Sequence, residues 1–274
     1  MVWSLSAAVL VFMTAVMLGA WAFGLARNNG GWTDVFWTFG AGAALAAASL
    51  VPVRPGAAPD PRQWLVAGLV AVWAIRLGSY IAGRVGRHAE DPRYASFRAE
   101  WGRDYPRNML FVSLPQAPAA ALLGLSVLIA ARTPGDGLGL RDGLGLAVLL
   151  IAVLGEGLAD AQMKVFKSKP TNQGRVADVG LWGWSRHPNY FFEWLGWLAY
   201  PVIGLNFGHP FTWLTFSAPL VMFLLLTRIS GIPPLEAAQL RSKGDAYRAY
   251  QARVSAFFPL PPRSGPLTSS EGPA

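Results

Sequence analysis

Long apolar runs separated by short polar stretches set the pattern of this chain. Seven runs approach the roughly 20 apolar residues that a helix needs to cross a bilayer. They are Trp3 to Leu25, Trp32 to Val51, Gln63 to Gly83, Met109 to Ala131, Gly143 to Ala159, Tyr190 to Phe207 and Phe211 to Thr227. Pro115 and Pro118 interrupt the fourth. The pattern predicts an all-α polytopic membrane helix bundle of about seven transmembrane helices. It forms a single embedded domain over residues 1–258, with a disordered Pro- and Ser-rich tail over 259–274. No positive charge precedes the first run, and the run is longer than the apolar region of a secretory signal, so it is expected to span.

The polar stretches differ among themselves. Residues 84–108 interleave Tyr94, Phe97, Trp101 and Tyr105 with charges, which suits a structured segment at the membrane interface. Residues 235–253 predict an amphipathic helix carrying Leu235, Leu240, Tyr247 and Tyr250. Residues 51–61 and 132–143 read as external loops.

Composition supports the membrane reading, with 53% hydrophobic and only 14% charged residues. With the N-terminus outside, the inner segments 26–31, 84–108, 161–189 and 228–274 hold 18 of the 23 Lys and Arg, and the outer segments hold four. Basic residues favour the cytoplasmic side, so the orientation is N-out, C-in. The net charge of +8 is therefore a topology signal, not a nucleic-acid footprint. The expected setting is the inner membrane of a bacterium, the expected state a monomer. The absence of cysteine excludes disulfides and thiol chemistry. His88, His187 and His209 stand in no ligand spacing, so no metal site is expected, and His88 and His209 read as surface groups.

Ionisable groups in or beside spans are costly and mark candidate function. Glu156, Asp160 and Lys164 recur every four residues and share one helical face. Lys167, Lys169 and Arg175 follow, then the stretch from Gly180 through Trp182, Trp184, Ser185, Arg186, His187, Pro188, Asn189 and Tyr190 to Glu193. Arg228 and Glu236 lie beyond the last run. Cations can clamp phosphates, carboxylates and Asn189 can hold ribose hydroxyls or an amide, and Trp182, Trp184 and Tyr190 can stack on a planar ring. The set suits a nucleotide-like cofactor entering from the cytoplasm. Equally, the same charges can pair to hold helix ends.

The string Ser185-Arg186-His187-Pro188-Asn189-Tyr190, closed by Glu193, resembles the signature of bacterial membrane proteins related to the steroid 5-alpha-reductases, whose C-terminal domain carries an unknown-function label (DUF1295). Further matches fall in order over roughly residues 30 to 260. They are Asp34-Val-Phe-Trp37, Arg76-Leu-Gly-Ser-Tyr80, Asp91-Pro-Arg-Tyr94, Glu156-Gly-Leu-Ala-Asp160, Arg228 through Glu236, and Tyr247-Arg-Ala-Tyr250. The resemblance implies an NADPH-dependent reductase of an activated C=C bond in a lipid-like substrate, steroid, isoprenoid or fatty acyl. It implies that Asp160, Asn189 and Glu193 hold the cofactor's ribose and ring portions. Lys167, Arg175 and Lys164 would face its phosphates, and Tyr247 and Tyr250 would pack against it. Glu156 stands where the steroid enzymes have Asn. Trp184, Arg186, His187, Tyr190 and Arg228 complete the expected cofactor set.

Hydride addition to the β-carbon of an enone builds negative charge on the carbonyl oxygen, so a donor must stand there. The steroid enzymes use a Tyr before the third-span Arg and a Glu in the second span. This chain has Trp73 three residues before Arg76, and Trp cannot give up a proton. The expected catalytic set is therefore Asp34, Arg76 and Tyr80, with Tyr80 one turn beyond Arg76 as donor. A structural pairing of Arg76 with Asp34 is the plain alternative. A second resemblance is open at Arg186-His187-Pro188-Asn189-Tyr190: isoprenylcysteine and phospholipid methyltransferases carry a similar element. There the pocket would hold S-adenosylmethionine, with His187 orienting its carboxylate. A non-catalytic lipid-binding protein is the third reading.

Overall fold

The computed structural model describes residues 1–87, 90–135 and 137–263. His88 and the tail residues 264–274 lie outside the described residues. The described chain is all-α, with no strand. It divides into two compact units, one of Met1–Val153 with Leu195–Phe223, the other of Leu154–Trp194 with the chain from Leu224 onward.

Among the described residues, five helical stretches are long and apolar enough to cross a membrane: Val2–Ala26, Pro61–Arg87, Arg93–Arg132, Leu140–Ser168 and Pro210–Arg253. Two of the seven expected spans fall short for local reasons. The second is helix α2, Trp32–Ser49, only 18 residues long and rich in Gly and Ala. The sixth divides at Leu198 into α8 (Pro188–Trp197) and α9 (Ala199–Gly204). Pro201 cannot donate to the Trp197 carbonyl, so the helix cannot run through.

In the first unit, α1 (Val2–Ala26), α2 and α3 (Pro61–Arg87) pack with α6 (Gln116–Arg132). Small residues let the backbones close up. Any side chain at Gly42 would collide with Ala74 of α3, and one at Gly40 with Val16 of α1. Pro115 separates α5 (Tyr105–Ser113) from α6, while Pro118 is tolerated in the first turn of α6. Asp91 caps α4 (Pro92–Trp101) through a bond from the Arg93 N–H at 3.0 Å, with Pro92 at the first helical position. One end of the unit is tied by Arg62, which meets Asp142 at 2.7 Å and the Gly137 carbonyl at 2.9 Å, and by Gln63, which donates to the Ser49 and Val51 carbonyls.

The segment expected at the interface is α4 and α5. Phe97 and Trp101 stack at 4.5 Å on successive turns of α4, and Tyr94, Tyr105 and Met109 form a small core against Trp21 and Leu25 of α1.

The second unit begins in the C-terminal half of α7 (Leu140–Ser168) and includes the first turns of α8. A π-helical turn, Leu225–Ile229, then leads into α11 (Ile232–Arg253), which follows α10 (Ser217–Leu224). Helix α11 is the expected amphipathic helix, with a kink at Gly244 (φ 51°). It carries Glu236, Arg241, Lys243, Asp245, Arg248 and Arg253, too many charges for hydrocarbon, so it lies outside the membrane spans. Residues Pro259–Arg263, at the start of the expected disordered tail, are held in place. Leu260 N–H donates to the Trp184 carbonyl at 3.0 Å and Arg263 N–H to that of Arg253 at 2.9 Å.

Candidate functional site

In the second unit, three segments that are distant in sequence meet. Phe192 of α8 fills the space over Gly155 of α7, where any side chain would collide with its ring. The loop before α8 is hydrogen-bonded to the same helix. Trp182 donates its indole N–H to the Ala159 carbonyl at 2.9 Å, and Leu181 N–H bonds the Gln162 side chain at 2.9 Å. The turn from Ser185 to His187 is then bound to the chain's C-terminal part. Arg186 N–H donates to the Ser255 carbonyl, and the Ser185 hydroxyl to that of Phe257. The Tyr250 hydroxyl donates to the Trp182 carbonyl.

At the centre of these contacts is Glu236, whose role the sequence reading missed. It accepts from Arg186 Nε at 2.6 Å and from Gln251 Nε2 at 2.9 Å. His187 Nε2 lies 3.3 Å from its Oε1, and the Tyr247 hydroxyl 3.5 Å away. Arg186 also donates to the Gln251 and Val254 carbonyls. His187 stacks on Tyr190 at 5.7 Å and 15°. The available signal was the position of Glu236 four residues into a polar helix that also carries Tyr247, Tyr250 and Gln251.

These contacts set charge states. Burial pushes the His187 imidazole below its ordinary pKa, and Glu236 recovers only part of the shift. Burial alone would raise Glu236. Hydrogen bonds from His187 and Arg186, the Arg186 charge and Gln251 outweigh it and hold the carboxyl at about 2. His187 is thus neutral at pH 7 beside an ionised carboxylate, so its Nε2 carries the proton and its Nδ1 is an acceptor.

The other expected cofactor residues fall into two groups. Glu156, Asp160, Glu193 and His187 are buried, each 6–7% exposed. Asn189 is half-buried, and no hydrogen bond among the described residues engages its amide. Lys164, Lys167, Arg175 and Arg228 are exposed, Arg228 in the π-helical turn. Trp184 is 49% exposed. Two cavities of about 490 and 570 Å³ adjoin at Phe166, Asn172 and Val179. Lys169 lines the first, and Arg175, Arg253 and Tyr250 the second. Lys243 of α11, which the sequence reading did not single out, is half-buried. Burial lowers its pKa, and so does the charge of Lys167 nearby.

The expected catalytic residues belong to the first unit. Arg76 lies over the Tyr80 ring at 5.5 Å. Asp34 accepts from the Tyr94 hydroxyl at 2.8 Å and from Arg93 at 3.1 Å, which ties α2 to α4. Trp73 is buried between Trp37 and Trp197, with ring centroids 6.1 and 4.9 Å away. Its position is an aromatic core position.

Fold and composition define an all-α integral membrane protein with buried carboxylates on α7 and α8 and a neutral histidine beside Glu236 of α11. Residues 20–254 match the model of the family described as "Protein of unknown function (DUF1295)". The chain belongs to that family. It is similar to an uncharacterized protein of the fission yeast Schizosaccharomyces pombe, 28% identical over 224 residues that cover 72% of this chain and 63% of the relative. The chain thus spans less than two thirds of that relative's length. No solved structure matches.

Proposed function

We propose that this protein is a membrane-embedded NADPH-dependent reductase that saturates an activated C=C bond in a lipid-like substrate, and that its cofactor site is in the second unit. The observation that carries the reading is the burial of four ionisable side chains, Glu156 and Asp160 on α7 and His187 and Glu193 at α8, the helix that also carries Asn189. The donor set fits a dinucleotide. Carboxylates and the His187 Nδ1 accept from hydroxyls and an amide, and the free amide of Asn189 can both give and take. The groove along Phe166 offers Lys169 and Arg175, and the repulsion between Lys167 and Lys243 would be relieved by a phosphate.

Bound there, NADPH supplies a hydride. The chain's own part is to hold the ring and ribose through Asp160, Asn189 and Glu193, and the phosphates through the exposed cations. In the first unit, Tyr80 is the donor to the substrate's developing oxyanion, with Arg76 over its ring. The cytoplasmic placing of the cofactor site follows from the N-out, C-in orientation, in a bacterial inner membrane.

The methyltransferase reading asks His187 to orient a carboxylate. With Nε2–H turned to Glu236, the remaining ring nitrogen presents a lone pair, which repels a carboxylate. That favours the reductase. Thermal unfolding of the purified protein with NADPH and with S-adenosylmethionine tests the choice. NADPH should raise the melting temperature and S-adenosylmethionine should not. Arg175→Ala should weaken NADPH at least about ten-fold, the loss of one charge-assisted bond. The reverse ligand pattern would refute the reductase.

A further inference from the structure

Helix α7 turns from apolar to charged along its exposed side. Leu154 and Leu158 stand 71% and 51% exposed, and the exposed Lys164 and Lys167 follow. The loop before α8 is fastened at that level by the bonds of Trp182 to the Ala159 carbonyl and of Leu181 to Gln162. Two residues past Trp182 is Trp184, 49% exposed. The C-terminal segment is fastened to the same place, since Leu260 N–H donates to the Trp184 carbonyl and Arg186 N–H to that of Ser255. Its Phe258 and Leu260 are 45% and 54% exposed, and the Phe258 ring rests on Phe191 and Trp194 of α8 at 6.0 and 5.7 Å. Three large apolar side chains, Trp184, Phe258 and Leu260, are therefore exposed on two segments bonded to each other, near the part of α7 that turns charged, and Arg263, also exposed, follows three residues after Leu260.

We infer that this C-terminal clasp is seated in the headgroup boundary of the bilayer, with Trp184, Phe258 and Leu260 as its lipid-facing anchors. Trp and other rings concentrate at that boundary, where the ring body meets acyl chains and polar edges stay wet. In water the same patch would be an uncompensated apolar surface. Basic Arg263 suits anionic headgroups. The assignment moves Trp184 out of the cofactor set and goes beyond the reductase reading, on which it does not depend.

The chain contains no cysteine, so Phe258→Cys or Leu260→Cys provides its single thiol. A nitroxide is attached there, the protein is placed in vesicles of phosphatidylcholine and phosphatidylglycerol, and collision with oxygen and with a water-soluble nickel chelate is measured. Ser242→Cys, on the exposed face of α11, is the aqueous reference. The oxygen-to-nickel ratio should be several-fold higher at 258 and 260 than at 242. Leu260→Cys leaves the ring cluster whole, so it decides the matter if Phe258→Cys does not fold. Ratios equal to that at 242 would overturn the inference. So would exclusion of both reagents with dipolar broadening of the spectrum, which would mean that a second copy covers the patch.

Discussion

Glu236→Ala removes the acceptor that binds α11 to the turn before α8. Arg186 is 10% exposed at its side chain and Glu236 15%, so both charges are largely withdrawn from water and depend on each other. Breaking such a pair from one side costs about 3–5 kcal/mol, because the remaining charge stays buried. Arg186 keeps the Gln251 and Val254 carbonyls, which partly solvate it, so the loss should fall near about 3 kcal/mol. Glu236→Gln keeps the shape and a carbonyl oxygen for Arg186 but gives up the charge, and about 1–2 kcal/mol is expected. Unfolding free energies of purified protein in a mixed-micelle denaturation series would measure both. The reasoning fails if Glu236→Ala lies within about 0.5 kcal/mol of wild type, the scatter of ordinary surface changes, or if the two variants lose equally.

Acid should destabilise the protein in two windows. His187 has a lowered folded pKa, so the unfolded chain takes up its proton first, and stability falls as pH drops below about 6.5. The Glu236 contribution is fully present above about 4.5 and is lost as pH falls through about 2. His187→Gln should flatten the first window and Glu236→Gln the second in the same unfolding assay. Gly155→Val should cost about 1–3 kcal/mol by driving a side chain into the Phe192 ring. Gly157→Ala, where nothing lies within 4 Å, should be neutral or stabilising by up to about 1 kcal/mol. On an identified substrate, Tyr80→Phe should lower turnover about 10²-fold or more with little change in NADPH affinity, and full turnover would move the donor elsewhere.

Much of the fold follows from local rules that can be read off the chain. Apolar run length predicts α1, α3 and α7, because a bilayer demands a fixed number of residues whatever the neighbours are. Pro115 marks the break between α5 and α6 for an equally local reason. The segmentation at Pro201 was open to the same argument, but a continuous apolar run obscured it. The candidate site was legible wherever costly groups repeat at helical spacing, as in Glu156 and Asp160, or crowd into one turn, as in Arg186, His187 and Asn189. Tertiary structure alone decided the rest. Glu236 and Arg186 are fifty residues apart, and no periodicity links them. Asp34 took Arg93 and Tyr94 as partners because α4 folds back over the start of α2. Trp73 became part of an edge-to-face aromatic cluster through Trp197, more than a hundred residues away. Pro259 to Arg263 read as tail by composition, yet backbone bonds to Trp184 and Arg253 hold them, and such bonds do not depend on which side chains the segment carries.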